Sequence, residues 1–64
     1  MNHEEIRQLV RIRHELRRLA PQRDADAAKR LLARMRALTA RDPRESAATE
    51  PEMQRWQVAF ALAD

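Results

Sequence analysis

The chain has 64 residues, a net charge of +3, and neither cysteine nor glycine. A chain this short forms at most one domain and hides only about 60% of the surface that its unfolded form exposes, and without cysteine it has no disulfide or thiolate zinc site to stabilise it. No apolar segment approaches the roughly 18 residues that span a bilayer, so we expect a soluble, cytoplasmic protein with no membrane partner.

The first predicted element is an amphipathic helix from about residue 2 to residue 20. Asn2 and Glu5 have the spacing of a capping box, in which each side chain bonds a free backbone amide of the other residue. Pro21 ends the helix, because the residue before proline is pushed out of the helical conformation. One face carries an apolar stripe of Leu9, Ile12, Leu16 and Leu19.

The second predicted element is a helix from about residue 24 to residue 41. Asp24 or Asp26 is expected to cap its N-terminus, and Asp42-Pro43 ends it. Its apolar stripe consists of Ala28, Leu31, Met35 and Leu38. Because the connection to the first helix is short, we expect the two helices to form an antiparallel hairpin.

The third predicted element is a short helix at about residues 50–63, preceded by a linker at residues 42–49. Thr49 is expected to cap this helix, because Pro51 falls in its first turn and Glu52 lies three residues after the cap. Its apolar stripe consists of Met53, Trp56, Phe60 and Ala63. The chain is therefore predicted to be one small all-α domain, a helical hairpin plus a third helix.

Apolar side chains exceed what three short helices can hide. Val58 and Leu62 lie on the side of the third helix opposite Trp56, and a helix that is apolar on two sides is normally buried on two sides. Trp56 and Phe60 are either the largest anchors of the core or hot spots of an interface. We expect a homodimer that completes a helical bundle. Its predicted interface consists of Ile6, Val10, Met53, Trp56, Val58, Phe60 and Leu62.

The sequence carries no catalytic, cofactor or metal signature. His3 and His14 each precede a glutamate, but Arg7 and Arg18 stand where a zinc-protease helix needs its second histidine. The two histidines are about 16 Å apart along one helix, too far to share a metal ion. There is no glycine-rich loop to hold phosphate. We therefore expect a non-enzymatic protein with no cofactor, metal ion or small-molecule substrate.

Positive charge is concentrated in the predicted hairpin. Residues 6–41 contain eleven Arg or Lys against three acidic residues, a charge of +8, whereas residues 42–64 contain two against five, a charge of −3. Arginines on one face of each hairpin helix are spaced to follow a phosphate backbone, or are simply solvated. These candidate nucleic-acid contacts are Arg7, Arg11, Arg18, Arg30, Arg34 and Arg41.

Two functions remain open from the sequence. The first is a helical protein-interaction module that acts as a homo-oligomer and serves as an adaptor, inhibitor or regulator of a partner protein. The second is a basic helical protein that binds DNA or RNA through the arginines of the hairpin. Salt dependence of binding distinguishes them, because phosphate contacts weaken steeply as salt rises.

Overall fold

The computed structural model describes residues 1–62, which form three α-helices. These helices are α1 (His3–Arg18), α2 (Ala25–Thr39) and α3 (Pro43–Ala59). The central helix, α2, packs against both α1 and α3, and the short connections make it antiparallel to each. The predicted all-α class is confirmed for the described residues, whose extents are 33 × 20 × 14 Å. Ala63, the last member of the predicted third stripe, lies outside them.

The N-terminus of α1 has the predicted capping box. The side-chain oxygen of Asn2 accepts a hydrogen bond from the backbone N–H of Glu5 at 2.8 Å, and the Glu5 carboxylate accepts one from the backbone N–H of Asn2 at 3.1 Å. The helix ends at Arg18, because Leu19 is already extended and the backbone of Ala20 takes part in the following turn.

Asp24 closes the turn between α1 and α2. It occupies the predicted N-cap position of α2, but its side chain makes no capping bond to that helix. The carboxylate instead accepts a hydrogen bond from the backbone N–H of Ala20 at 2.8 Å, and the Ala20 carbonyl accepts one from the backbone N–H of Asp24 at 2.9 Å. Asp24 therefore fixes the reversal of the chain that brings the hairpin helices together.

The predicted linker at residues 42–49 is wrong, because α3 begins at Pro43. Asp42 is the N-cap, and its carboxylate accepts hydrogen bonds from the backbone N–H groups of Arg44 at 3.0 Å and Glu45 at 3.4 Å. Pro43 suits the first helical position, because a backbone N–H there has no partner within the helix and proline has no N–H. The sequence contains two helix-start signals in this region, and the chain uses the earlier one.

The second start signal lies inside α3. Thr49 is buried, and its hydroxyl donates to the carbonyl of Glu45 at 2.8 Å, a bond within the helix rather than a cap. Pro51 has no N–H to donate to the carbonyl of Ala47. Both Pro51 and Ala47 are exposed, so water can reach that carbonyl and the helix continues past the proline.

The C-terminus of α3 turns its last apolar side chains back onto the protein. The backbone N–H of Leu62 donates to the carbonyl of Gln57 at 2.8 Å, and that of Ala61 donates to the carbonyl of Val58 at 3.1 Å. These two bonds, with Ala61 in the left-handed conformation at φ 52°, form a Schellman motif. The helix therefore ends at Ala59, before the predicted end at residue 63.

The core is built from the predicted stripes. Leu19, Leu38, Trp56 and Leu62 pack at its edge. Leu32 joins it from outside those stripes, and its buried members are Leu9, Ile12, Leu16, Ala28, Leu31, Leu32, Met35, Met53 and Phe60.

Candidate functional site

The side chains predicted to form a dimer interface are divided between the core and two exposed regions. Met53 and Phe60 lie in the core, with 1% and 3% of their surface exposed. Ile6 and Val10 are 48% and 45% exposed, one turn apart on α1, whereas Val58 is 80% exposed on α3. Met53 and Phe60 therefore offer a partner almost no surface.

The remaining two members, Trp56 and Leu62, are half-buried against the core edge. The ring centroids of Trp56 and Phe60 are 6.1 Å apart, a distance typical of a packed aromatic pair. The helix ends at Ala59, and the half-buried Leu62 lines a concavity at the C-terminal end of α3 together with the exposed Val58 and Ala61.

All six arginines predicted to contact nucleic acid are exposed. Four of them line a groove between α1 and α2: Arg18, Arg30, Arg34 and Arg41. Arg7 and Arg11 lie on α1 outside that groove. The structure thus divides the predicted set into a groove group and an outer group.

This hairpin groove consists of two adjoining concavities that share Arg34. The first, of about 470 Å³, is lined by Glu15, Arg18, Leu19, Ala27, Arg30, Leu31 and Arg34. The second, of about 300 Å³, is lined by Glu5, Gln8, Arg34, Ala37, Leu38 and Arg41. The groove therefore has an apolar floor, which comprises Leu19, Ala27, Leu31, Ala37 and Leu38.

The two walls of the hairpin groove differ in charge. The α2 wall is formed by Arg30 and Arg34 of α2 and by Arg41, which follows two residues after the end of that helix. The α1 wall is mixed and is formed by Glu5, Gln8, Glu15 and Arg18. Within residues 1–62, the ion pairs use other arginines, so the three guanidinium groups of the α2 wall are open to an external carboxylate or phosphate.

A separate concavity lies between α2 and α3, and an ion pair partly neutralises the positive charge on its α2 side. Arg36 on α2 lies 3.5 Å from the carboxylate of Glu50 on α3, measured from Nη1 to Oε2. The glutamines Gln54 and Gln57 complete the α3 side of this concavity. Its charges therefore serve the contact between the two helices more than an external ligand.

The ion pair between Arg13 and Glu52 was not predicted. Hydrogen bonds from Arg13 lower the pKa of the Glu52 carboxyl, and partial burial opposes that shift. The same hydrogen bonds raise the pKa of Arg13. The sequence gives one indication of this pair, because Arg13 lies between two groups of apolar residues on α1. Its partner Glu52 is identified only by the packing of α3.

Residues 1–62, the described part of the chain, contain neither a candidate metal centre nor a candidate membrane span. In residues 1–62 no group of three or more His, Cys, Asp or Glu side chains is placed to hold a metal ion. His3 and His14 are exposed on α1. None of the three helices is both long and apolar enough to cross a bilayer in this part of the chain.

No protein-family model, curated protein or solved structure matches this chain. Over residues 1–62 the chain is a small all-α fold of three helices, with a basic groove that has an apolar floor between the first two.

Proposed function

We propose that this chain is a non-enzymatic protein-interaction module, an adaptor, inhibitor or regulator, that binds a partner protein in the hairpin groove. The observation that supports this function is the combination of an apolar floor with charged walls along one side of the hairpin. Protein interfaces typically combine an apolar centre with a polar rim.

The two parts of the groove contribute differently to binding. Covering Leu19 and Leu38, which are half-buried at the core edge, removes apolar surface from water at roughly 25 cal/mol per Å². The arginines of the α2 wall add specificity and speed of association more than affinity.

A steric variant tests this function. Ala37 is exposed on the groove floor, and Ala47 is exposed on α3 away from the groove, so Ala37→Trp fills the groove and Ala47→Trp adds the same side chain elsewhere. In affinity capture from the native host, we expect Ala47→Trp to retain the partner protein of the wild type and Ala37→Trp to lose it. The proposal is wrong if Ala37→Trp and Ala47→Trp both capture the partner protein. It is also wrong if the wild type and Ala47→Trp capture none.

Self-association is a second part of this proposal, and its support is the pair Ile6 and Val10, which are about half exposed on α1. We expect a homodimer in sedimentation velocity at micromolar concentration, which Ile6→Ser with Val10→Ser converts to a monomer. Val58→Ser is the control, because Val58 lies on the outer side of α3. If the wild type is a monomer, the proposed self-association is wrong, and the proposal that the hairpin groove binds a partner protein is unaffected.

Nucleic-acid binding is the alternative function, supported by the exposed outer arginines Arg7 and Arg11 beside Arg18. Glu5 and Glu15 on the α1 wall oppose a phosphate backbone in the groove, so protein binding is the better-supported proposal. The double variant Arg7→Gln with Arg11→Gln should abolish a salt-sensitive gel shift and spare partner capture. Absence of any gel shift at low salt excludes the alternative.

A further inference from the structure

We infer that the hairpin groove receives an amphipathic helix of a partner protein, with the carboxylates of that helix facing the α2 wall. This inference rests on the function proposed above and adds the chemistry and orientation of the partner. It is carried by the juxtaposition of three arginines that form no ion pair within residues 1–62 with an apolar floor and an opposite wall that contains two glutamates.

The dimensions of the groove suit a helix of a few turns. The α2 wall runs from Arg30 to the end of α2 at Thr39, which is nine residues and about 13.5 Å along the helix, and Arg41 lies two residues beyond that end. The half-buried leucines of the floor are Leu19 in the first concavity and Leu38 in the second. A partner helix with apolar residues at positions i, i+4, i+7 and i+11 presents one continuous stripe to such a floor.

The difference between the walls determines the orientation of the helix. Arg30, Arg34 and Arg41 attract carboxylates on the flank of the partner that faces α2. Glu5 and Glu15 disfavour carboxylates on the opposite flank and favour basic or neutral residues there. The groove therefore selects a helix that is acidic on one side of its apolar stripe only.

Two other occupants fit the groove less well. A nucleic-acid backbone would place phosphates near Glu5 and Glu15 and leave the leucine floor without apolar contacts. A second copy of this chain has three carboxylates on α3, but Glu52 pairs with Arg13 and Glu50 pairs with Arg36 within the same molecule, which leaves Glu45 alone to meet three arginines. A separate partner with free carboxylates is the occupant that the charges favour.

A pair of synthetic peptides tests this inference with the full chain. Both are fluorescein-labelled helices of about 14 residues, roughly four turns, with one leucine stripe. The acidic peptide carries glutamates along one flank of that stripe, and its lysine twin carries lysines at the same positions. In fluorescence anisotropy we expect the acidic peptide to bind at least about tenfold more tightly than the lysine twin. Arg30→Gln with Arg34→Gln should reduce that preference to less than about threefold.

The matched control is Arg44→Gln with Arg55→Gln, which removes two exposed arginines of α3 and changes the net charge equally. It should keep the full preference, and circular dichroism should give both double variants the helicity of the wild type. Equal binding of the two peptides, equal loss of preference in both double variants, or no binding of the acidic peptide would overturn the inference.

The remaining outcomes separate this inference from the proposed function. Tighter binding of the lysine twin contradicts the partner chemistry but leaves the groove as a protein-binding site. If a DNA duplex binds and neither peptide does, the inference is wrong. If Arg30→Gln with Arg34→Gln also weakens the binding of that duplex, the proposed protein-binding function of the groove is wrong as well. If no probe binds, the inference fails, and the capture experiment with Ala37→Trp still decides the proposed function.

Discussion

Arg13 on α1 binds the carboxylate of Glu52 on α3 through two parallel hydrogen bonds, from Nε to Oε2 at 2.8 Å and from Nη2 to Oε1 at 2.9 Å. The two side chains retain 33% and 21% exposure, so solvent partly screens the pair. Both helices pack on α2, and this bidentate pair adds a direct link between α1 and α3.

Glu52→Gln should lower the free energy of unfolding at pH 7 by about 1 kcal/mol, a modest value because the pair is partly solvated. Folding lowers the pKa of Glu52, so its stabilising contribution is complete above the pKa of an unfolded glutamate, about 4.3, and is lost as the pH falls through the lower folded value. Urea unfolding at pH 7 and at pH 3 should therefore show a smaller difference between wild type and variant at pH 3. A difference that is the same at both values contradicts this linkage.

Pro51→Ala should raise the free energy of unfolding by about 1–3 kcal/mol, because a proline inside a helix removes one hydrogen bond and crowds the preceding turn. Pro43→Ala is the control, since a proline at the first helical position removes no intrahelical bond, and its change should be small. Thermal unfolding by circular dichroism measures both. If Pro51→Ala were neutral or destabilising, α3 would have to begin near residue 50.

Ala61→Gly should stabilise the protein by about 0.5–1 kcal/mol, because Ala61 adopts a left-handed conformation that glycine reaches without steric cost. The matched variant Ala59→Gly changes the last helical residue and should destabilise by a similar amount. Chemical denaturation of both variants checks the prediction. Destabilisation by Ala61→Gly would mean that the Schellman motif does not form in solution.

Met53→Ala should cost about 2–5 kcal/mol, because Met53 is buried among the core side chains and its removal leaves a cavity. Val58→Ala, five residues later on the same helix, should change stability by less than about 0.5 kcal/mol. Comparison of their denaturation midpoints tests which face of α3 meets the core. Equal costs at the two positions would contradict the orientation described here.

Local signals predicted much of the fold. The spacing of the core side chains, from Leu9 through Met35 to Met53, identified the buried face of each helix, since a helix repeats every 3.6 residues whatever it packs against. Asn2 and Glu5 predicted the first cap because a capping box involves residues only three apart. The start of α3 was misjudged because Asp42-Pro43 and Thr49 with Pro51 carry the same local signal.

The candidate site was predicted only in part. The six arginines were identified from spacing, and all are exposed, but the groove and the asymmetry of its walls depend on how α1 and α2 are rotated against each other. Glu5 appeared in the sequence as a capping residue and Glu15 as part of an incomplete zinc motif. Neither assignment indicates that both side chains face the arginines of another helix.

The sequence by itself determined the helical class, the apolar stripe of each helix and the basic character of the hairpin, because these properties arise from neighbours within a few turns of the same helix. Tertiary structure decided the rest. In the folded chain α3 begins at Pro43 with Asp42 as its N-cap, Thr49 and Phe60 are buried, and Arg13 pairs with Glu52 across 39 residues of chain. Those choices depend on which surfaces become buried together, and that free energy is shared among side chains distant in the sequence.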